Sequence, residues 1–309
     1  MDKWQNLLKI FALDIRNVLG KITLDYAFLQ EIRLRAGKPL MLRYQNKMYY
    51  VDASGRLDTD GGQAYIISAN MVRETMEYVS NYSLYAFEEE IRQGFITIQG
   101  GHRIGVAGKV IFEQGRVKNI KYISFMNLRI SHQVIGCADR IMPFVTDGKR
   151  VNPTLVISPP GCGKTTLLRD MIRQLSRNYC VGVVDERSEI AACYLGIPQN
   201  DLGRQADVLD CCPKAEGMLM LIRSMAPRII AVDEIGSKQD VEAIEYVVNC
   251  GCILLATIHG ESMEDVKRKP FFGQLVESGI FTRYILLNGK GEAGNIAGIY
   301  DENMTELRM

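Results

Sequence analysis

Ser158-Pro159-Pro160-Gly161-Cys162-Gly163-Lys164-Thr165-Thr166 decides how this chain folds. The apolar run Thr154-Leu155-Val156-Ile157 leads into it, and an amphipathic run from Lys164 to Ser176 leads out. That order is strand, tight turn, helix. The stretch nearly matches G-x-x-x-x-G-K-[ST], with Ser158 standing where the first glycine is expected. Gly161 and Gly163 let backbone N–H groups converge on phosphate oxygens, and the following helix adds its positive N-terminal dipole. Lys164 has the reach for β- and γ-phosphates, and the Thr165 hydroxyl can ligate Mg²⁺. Pro159, Pro160, Cys162 and Thr166 complete the loop. The bland alternative is a chance glycine turn, against which the flanking strand and helix speak. ATP and Mg²⁺ are the expected ligands.

On either side of this loop the chain reads differently. After about residue 134 strands and helices alternate, which calls for parallel pairing in an α/β sheet. The sequence predicts a helix over 134–145, strands at TLVI, VGVVD, RIIAVDE, CILLATIH and YILLN, and helices at GKTTLLRDMIRQLS, EIAACYLG and VEAIEYVVNC. RIIAV and CILLATI are continuously apolar, as in strands covered on both faces. Before residue 134 the first ~25 residues read as one helix. EIRLR, LMLRYQ and MYYVD then alternate with period two around a turn at Gly37-Lys38-Pro39. Helices are expected over 68–80 and 83–93, the second stopped by Gly94. Strands at FITIQ, RIGVAGKVIF and VKNIKYISFMNLRI follow, broken at Gly100-Gly101 and Gln114-Gly115. This predicts an N-terminal α+β domain over 1–133 and a P-loop domain over 134–309.

Three further segments carry acids or bases to strand ends. Arg228 to Glu234 (RIIAVDE) reads as the acidic strand that accompanies a phosphate loop. Asp233 is placed on the Mg²⁺ shell, and Glu234 orients and deprotonates the attacking water. Leu254 to Gly260 (LLATIHG) sets Thr257 and His259 at the end of the neighbouring strand, where His259 senses the γ-phosphate or is merely a hydrogen-bonded strand end. Val184 to Glu189 (VDERSE) offers Glu186 to the nucleotide or to the cap of the next helix. Charge spreading over a transferring phosphoryl group also calls for arginine. Candidates are Arg223, and in the N-terminal half Arg92, Arg103 and Arg129.

Composition is that of an ordinary globular chain, with 47% hydrophobic and 24% charged residues. No apolar run reaches the ~18–20 residues that span a bilayer, and the amphipathic N-terminus lacks the features of a cleaved leader. None of the 8 Cys falls in a paired C-x-x-C spacing, so free thiols in a reducing cytosol are expected. The net charge of +1 is unevenly divided. Residues 1–133 hold 18 Lys+Arg against 13 Asp+Glu, giving +5, and the remainder 19 against 23, giving −4.

EIRLRAGKPL, GHRIGVAGKV, SPPGCGKTTLLRD, VVDERSEIAA, VLDCCPKAEGMLMLIRSMAPRIIAVDEIG and ATIHG together resemble the stage III sporulation protein AA family of endospore-forming bacteria. The resemblance covers most of the chain, and the family's loop also begins with serine. More distantly, the pattern is similar to the ATPases of type II and type IV secretion and pilus machines. Their Asp box resembles the segment around Glu186, their His box the one ending at His259, and their leucine-arginine segment the region of Arg223. Those relatives often lack the aspartate present here as Asp233. The resemblance implies a ring, hexameric, with ATP between subunits. It also implies service to a membrane channel between mother cell and forespore from the mother-cell cytoplasm, by peripheral docking on membrane proteins.

The expectation is therefore an α/β chain with an AAA+/RecA-like P-loop core and a smaller N-terminal α+β domain, hydrolysing ATP with Mg²⁺. Two other readings stay open. A nucleic-acid-dependent ATPase draws on the basic N-terminal half with Tyr49, Tyr50, Tyr82 and Tyr85, although nucleic acid is not the expected partner. A nucleotide switch that assembles a complex without turnover is the other, and the presence of both Asp233 and Glu234 weighs against it.

Overall fold

The computed structural model of the chain describes residues 3–83, 87–113, 115–289 and 295–308, so Tyr85 and Gln114 lie outside the described residues. Two compact units, Met1–His132 and Gln133–Met309, make up the chain.

The first unit opens with two helices, α1 (Lys3–Leu8) and α2 (Leu13–Leu19), where the apolar period predicts one. The break has a visible cause. Arg16 Nη2 takes up the carbonyls of Lys9 and Phe11, and the Ala12 N–H leaves the helix to donate to the buried Thr75 Oγ1 at 3.0 Å. The strands are β1 (Leu29–Arg35), β2 (Lys38–Pro39), β3 (Met41–Tyr44), β4 (Lys47–Val51), β5 (Leu57–Asp58), β6 (Ile66–Ile67), β7 (Phe95–Ile98), β8 (His102–Glu113) and β9 (Arg116–Arg129). Seven of them form one antiparallel sheet in the order β5-β4-β3-β1-β9-β8-β7, and β2 pairs with β6. Helix α3 (Ala69–Val79) is capped by the Ser68 side chain, and α4 (Glu88–Gln93) ends at Gly94 with φ +89. Residues 84–86, the start of the predicted second helix, lie outside the described residues. Alternation assigns the sheet's faces: Ile32, Leu34, Ile104, Val106, Met126 and Leu128 are buried, whereas Glu31, Arg33, Arg35, Arg103 and Arg129 share the opposite set of register positions.

The second unit adds α5 (Met142–Val145), β10 (Thr154–Ser158), α6 (Lys164–Leu175), β11 (Val181–Asp185), β12 (Ala206–Asp210), α7 (Lys214–Met225), β13 (Ile229–Val232), α8 (Lys238–Asn249), β14 (Ile253–His259), α9 (Met263–Arg268), α10 (Phe272–Glu277), β15 (Arg283–Leu287) and β16 (Ile296–Asp301). The sheet order is β12-β11-β13-β14-β10-β15-β16, parallel except for β16. Both faces are covered. Val156, Val183, Ala231 and Leu255 pack with Leu168, Met171 and Ile172 of α6 on one side. Leu155, Val184, Ile230 and Leu254 pack with α7, α8, α9 and α10 on the other.

Two local expectations fail here, and two elements are unanticipated. The predicted helix over 134–145 survives only as Met142–Val145, because Gly136 has φ +84 and the Ala138 N–H is held by Asp170. EIAACYLG is irregular, with Ala192 and Leu195 at positive φ, because the Asp185 carboxylate takes the N–H groups of Glu189, Ile190 and Ala191. Strand β12, just after Gly203, and helix α7, in the run before β13, are the two unanticipated elements.

A buried histidine gives the first unit a pH dependence. His102 Nδ1 accepts the Ser131 N–H at 3.1 Å, and Nε2 lies 3.0 Å from Tyr26 Oη. Burial, followed by the charges of His132 and Lys3, lowers its pKa from 6.5 to about 4. The unfolded chain takes up a proton near the ordinary value, which the folded unit refuses until about 4. The stability present above the ordinary value is therefore lost as pH falls toward 4. Trp4, the single tryptophan, lies in this unit and reports on its unfolding. Urea titrations followed by Trp4 fluorescence should show a loss of about 2 kcal/mol between roughly pH 7.5 and pH 5. The His102→Gln variant should show little of that loss.

Candidate functional site

Strand order places the site. One strand, β14, separates the loop strand β10 from the acidic strand β13. Ser158 pairs with His259, and Val232 with Ala256. The residues following β10, β11 and β13 and the last residue of β14 therefore meet at one carboxyl edge, where open α/β sheets receive ligands.

The loop leaves β10 at Ser158, which is fully buried and donates its Oγ to the Pro159 carbonyl at 2.8 Å. Gly161 and Gly163 have φ +76 and +89, and α6 starts at Lys164. No atom lies within 4 Å of a Cβ built on Gly161, so the loop is open there. Cys162 is half-buried as a free thiol, and Thr166 continues the first turn of α6. Lys164 is only 6% exposed, and its Nζ lies 2.6 Å from Glu234 Oε1. A buried ammonium needs such a partner.

Glu234 gathers two cations, Lys164 and Arg187, and one imidazole. His259 Nε2 is 3.1 Å from Oε1, and Arg187 Nη1 is 3.0 Å from Oε2. Burial pushes this carboxyl up, but the hydrogen bond and charge of Lys164, with His259 and Arg187, overcome it and hold its pKa below the ordinary value. Glu234 also has φ +54, a left-handed backbone that a non-glycine residue adopts at some cost. Its N–H is held by Thr257 Oγ1 at 2.9 Å. That hydroxyl donates to Asp233 Oδ1, and Thr165 Oγ1 donates to Asp233 Oδ2 at 2.5 Å. Burial raises the Asp233 pKa against these two hydrogen bonds.

On the β11 side, Glu186 pairs with the buried Lys214. Asp185, Glu186, Arg187, Glu189, Lys214, Asp233 and Glu234 line one small recess. Asp185 acts within the fold. Its carboxylate holds three amides, and Arg169 fastens the same turn through the Glu189 and Ile190 carbonyls. Burial raises the Asp185 pKa despite the three bonds.

The residues fit a phosphate chain with a hard cation. The loop offers amides and a lysine, and Thr165 with Asp233 offers two oxygens. Among the described residues no group of three or more His, Cys, Asp or Glu side chains could hold a metal. The remaining ligands of a Mg²⁺ ion fall to phosphate oxygens and water, its usual habit. His259 Nδ1 is buried without a hydrogen-bond partner among the described residues.

Arg223 is exposed in the last turn of α7, where Met218 and Leu221 turn that helix's other face to the core, and it is not among the residues lining the recess. Arg103 and Arg129 instead join Arg33 and Arg35 around a cavity of about 380 Å³ in the first unit, with Arg103 4.2 Å over the Phe95 ring. Arg92 is exposed on α4. Sequence reasoning missed Arg187, which stood between two acids in VDERSE, and Lys214, 28 residues beyond its partner, for which no local signal existed.

A family model described as Sporulation stage III, protein AA matches residues 1–307. The chain belongs to this family. It is 38% identical over 304 residues to Stage III sporulation protein AA of Bacillus subtilis (strain 168), covering 96% of this chain and 95% of the relative. Among solved structures, the ATPase DotB of Legionella pneumophila matches with TM-score 0.54 at 14% identity, over 84% of this chain and 72% of that one. The pilus retraction motor PilT with bound ADP matches with TM-score 0.55 at 16% identity, over 84% of this chain and 74% of that one. At these identities the likeness is one of fold, the P-loop α/β fold of secretion and pilus ATPases.

Replacing Asp185 should damage the fold rather than a single contact. Asp185→Ala strands three amides, and Asp185→Asn turns an NH₂ toward N–H donors. Each should lower stability by about 3 kcal/mol or more. Calorimetric unfolding of both variants tests this, and a shift within error for either would remove Asp185 from that role.

Proposed function

We propose that this protein is a Mg²⁺-dependent ATPase of the secretion-motor kind that powers or assembles a membrane-channel complex during endospore formation. The observation that carries the reading is the convergence of Lys164 with Glu234 and of Thr165 with Asp233 at one sheet edge. Loop amides from Gly161 to Thr165 and the Lys164 ammonium bind the phosphates. Thr165 and Asp233 hold Mg²⁺, which supplies charge neutralisation on the phosphate oxygens. Glu234, freed as Lys164 turns to phosphate, orients water and accepts its proton. His259, already against Glu234, reports on the γ-phosphate, and Glu186 braces the rim through Lys214. Positioning and electrostatics account for most of the acceleration.

Family membership supports the sporulation setting, and the fold shared with DotB and PilT supports a motor. On this reading the chain works as a ring, hexameric, in the mother-cell cytoplasm. Among the described residues no helix is long and apolar enough to cross a membrane. The proposed association is peripheral, through membrane proteins of the channel complex. A switch without turnover is the second reading, and the occupation of Glu234 by Lys164, Arg187 and His259 favours it.

Steady-state ATP hydrolysis against protein concentration, with a fluorescent-nucleotide binding assay alongside, separates the two. The motor reading expects specific activity to rise with concentration. Glu234→Gln should keep binding and lose about 10²–10⁴ in turnover. Tight binding with wild-type turnover no higher than that of Glu234→Gln supports the switch. A rate that needs DNA or RNA and collapses with salt overturns both in favour of a nucleic-acid-dependent enzyme.

A further inference from the structure

β8 and β9 outrun the sheet of the first unit. β7 pairs with β8 only as far as Gly105, and β1 with β9 only to Phe125. Beyond these points Lys109–Glu113 and Arg116–Lys121 pair only with each other among the described residues. The result is a two-stranded ribbon, a form that is marginal by itself in water. Beside it lies a cavity of about 950 Å³ lined by Met76, Ile91, Ile111 and Ile123 among others, so α3 and α4 do not fill the space next to it.

The ribbon nevertheless turns apolar side chains outward. Val110 is 50% exposed, Phe112 66% and Tyr122 78%. A register shift beside Gly108, with Tyr122 at φ +51, sets that ring out from the ladder. The same ribbon carries Lys109, Arg116, Lys118 and Lys121 against one acid, Glu113, a net of +3 (four minus one), with the Lys109–Lys121 pair on the face opposite Val110. Glu113 is already paired with Lys118 at 2.7 Å. Lys109 and Lys121 face each other directly across the ladder, where like charges repel. Lysines on a free edge deter strand addition, but that role gains nothing from an aromatic pair held in water.

An anionic lipid surface satisfies both features at once. Aromatic and aliphatic tips settle at the headgroup boundary, while the ammonium groups meet the negative surface potential. We propose that the β8–β9 ribbon is a membrane-surface hairpin that inserts Val110, Phe112 and Tyr122 into the interface of a bilayer rich in anionic phospholipid. This concerns a face of the first unit remote in sequence from the nucleotide residues and does not depend on ATP turnover.

The test is flotation of the full chain with vesicles of equal parts phosphatidylglycerol and phosphatidylcholine, against phosphatidylcholine alone. The wild-type chain should float with the anionic vesicles only. Lys109→Gln/Lys121→Gln should lower partitioning roughly 25-fold, about fivefold per cation. Phe112→Ser/Tyr122→Ser should lower it roughly tenfold or more. Circular dichroism should match the wild type for both variants, since all four side chains are exposed. Absence of wild-type flotation, or flotation of the Phe112→Ser/Tyr122→Ser variant equal to wild type, overturns the proposal. A wild type that ignores vesicles but loses oligomer mass in that variant, by light scattering, assigns the ribbon to a second copy of the chain and also overturns it.

Discussion

Parallel pairing of β14 with β10 on one side and β13 on the other fixes where the functional groups of the second unit can stand. The register Ser158 to His259 and Val232 to Ala256 brings the phosphate loop, the acidic pair and the histidine to one edge. All three strands are buried on both faces, so a slip of one residue would exchange every side chain between two packed cores. Thr257 shows what the register achieves. It is fully buried, yet its single hydroxyl holds both Asp233 Oδ1 and the Glu234 N–H. Position and orientation of the two acids are thus inherited from a strand that carries neither.

Burial of charge sets the second constraint. Lys164 and Asp233 sit where water screens weakly, so each must find a partner within the fold. Glu234 serves Lys164, and Thr165 with Thr257 serves Asp233. On the proposed reading, phosphate competes with Glu234 for the lysine. Ligand binding and availability of the carboxylate are then one event, because the ammonium cannot satisfy both at full strength. A ligand shifts such an equilibrium only by its differential affinity, and a polyphosphate offers more negative charge than one carboxylate.

What the sequence discloses follows from how local the cause is. The loop, β13 and β14 are legible because each is a contiguous run whose pattern states its own structure. The segment 189–196 misleads for the converse reason: its residues suit a helix, but three of its amides are claimed by Asp185 from a preceding strand. Strand β12 is invisible for want of an apolar run, since it sits at a sheet edge and is only half-buried. At the site, Lys164, Thr165, Asp233, Glu234 and His259 come together as the motifs lead one to expect. Arg187 and Lys214 emerge only when chain segments far apart are brought side by side. Arg223 stands exposed on α7, a placement the motif could not state, since its neighbourhood says nothing about which way a helix turns its face.

Ser158 shows why a departure from a pattern need not weaken the site. Glycine is demanded where φ is positive or where backbones approach too closely for a Cβ. Ser158 meets neither condition. It is the last residue of an extended strand, paired with His259, and its hydroxyl has an acceptor in the Pro159 carbonyl. The positive φ values of the loop fall at Gly161 and Gly163. Past the end of the neighbouring strand, a Cβ on Gly260 would stand 2.8 Å from the Val266 Cγ2 methyl and 3.1 Å from the Ile157 Cγ2 methyl. The glycines that shape this cradle are therefore Gly161 and Gly163, and the serine at its entrance is a strand residue.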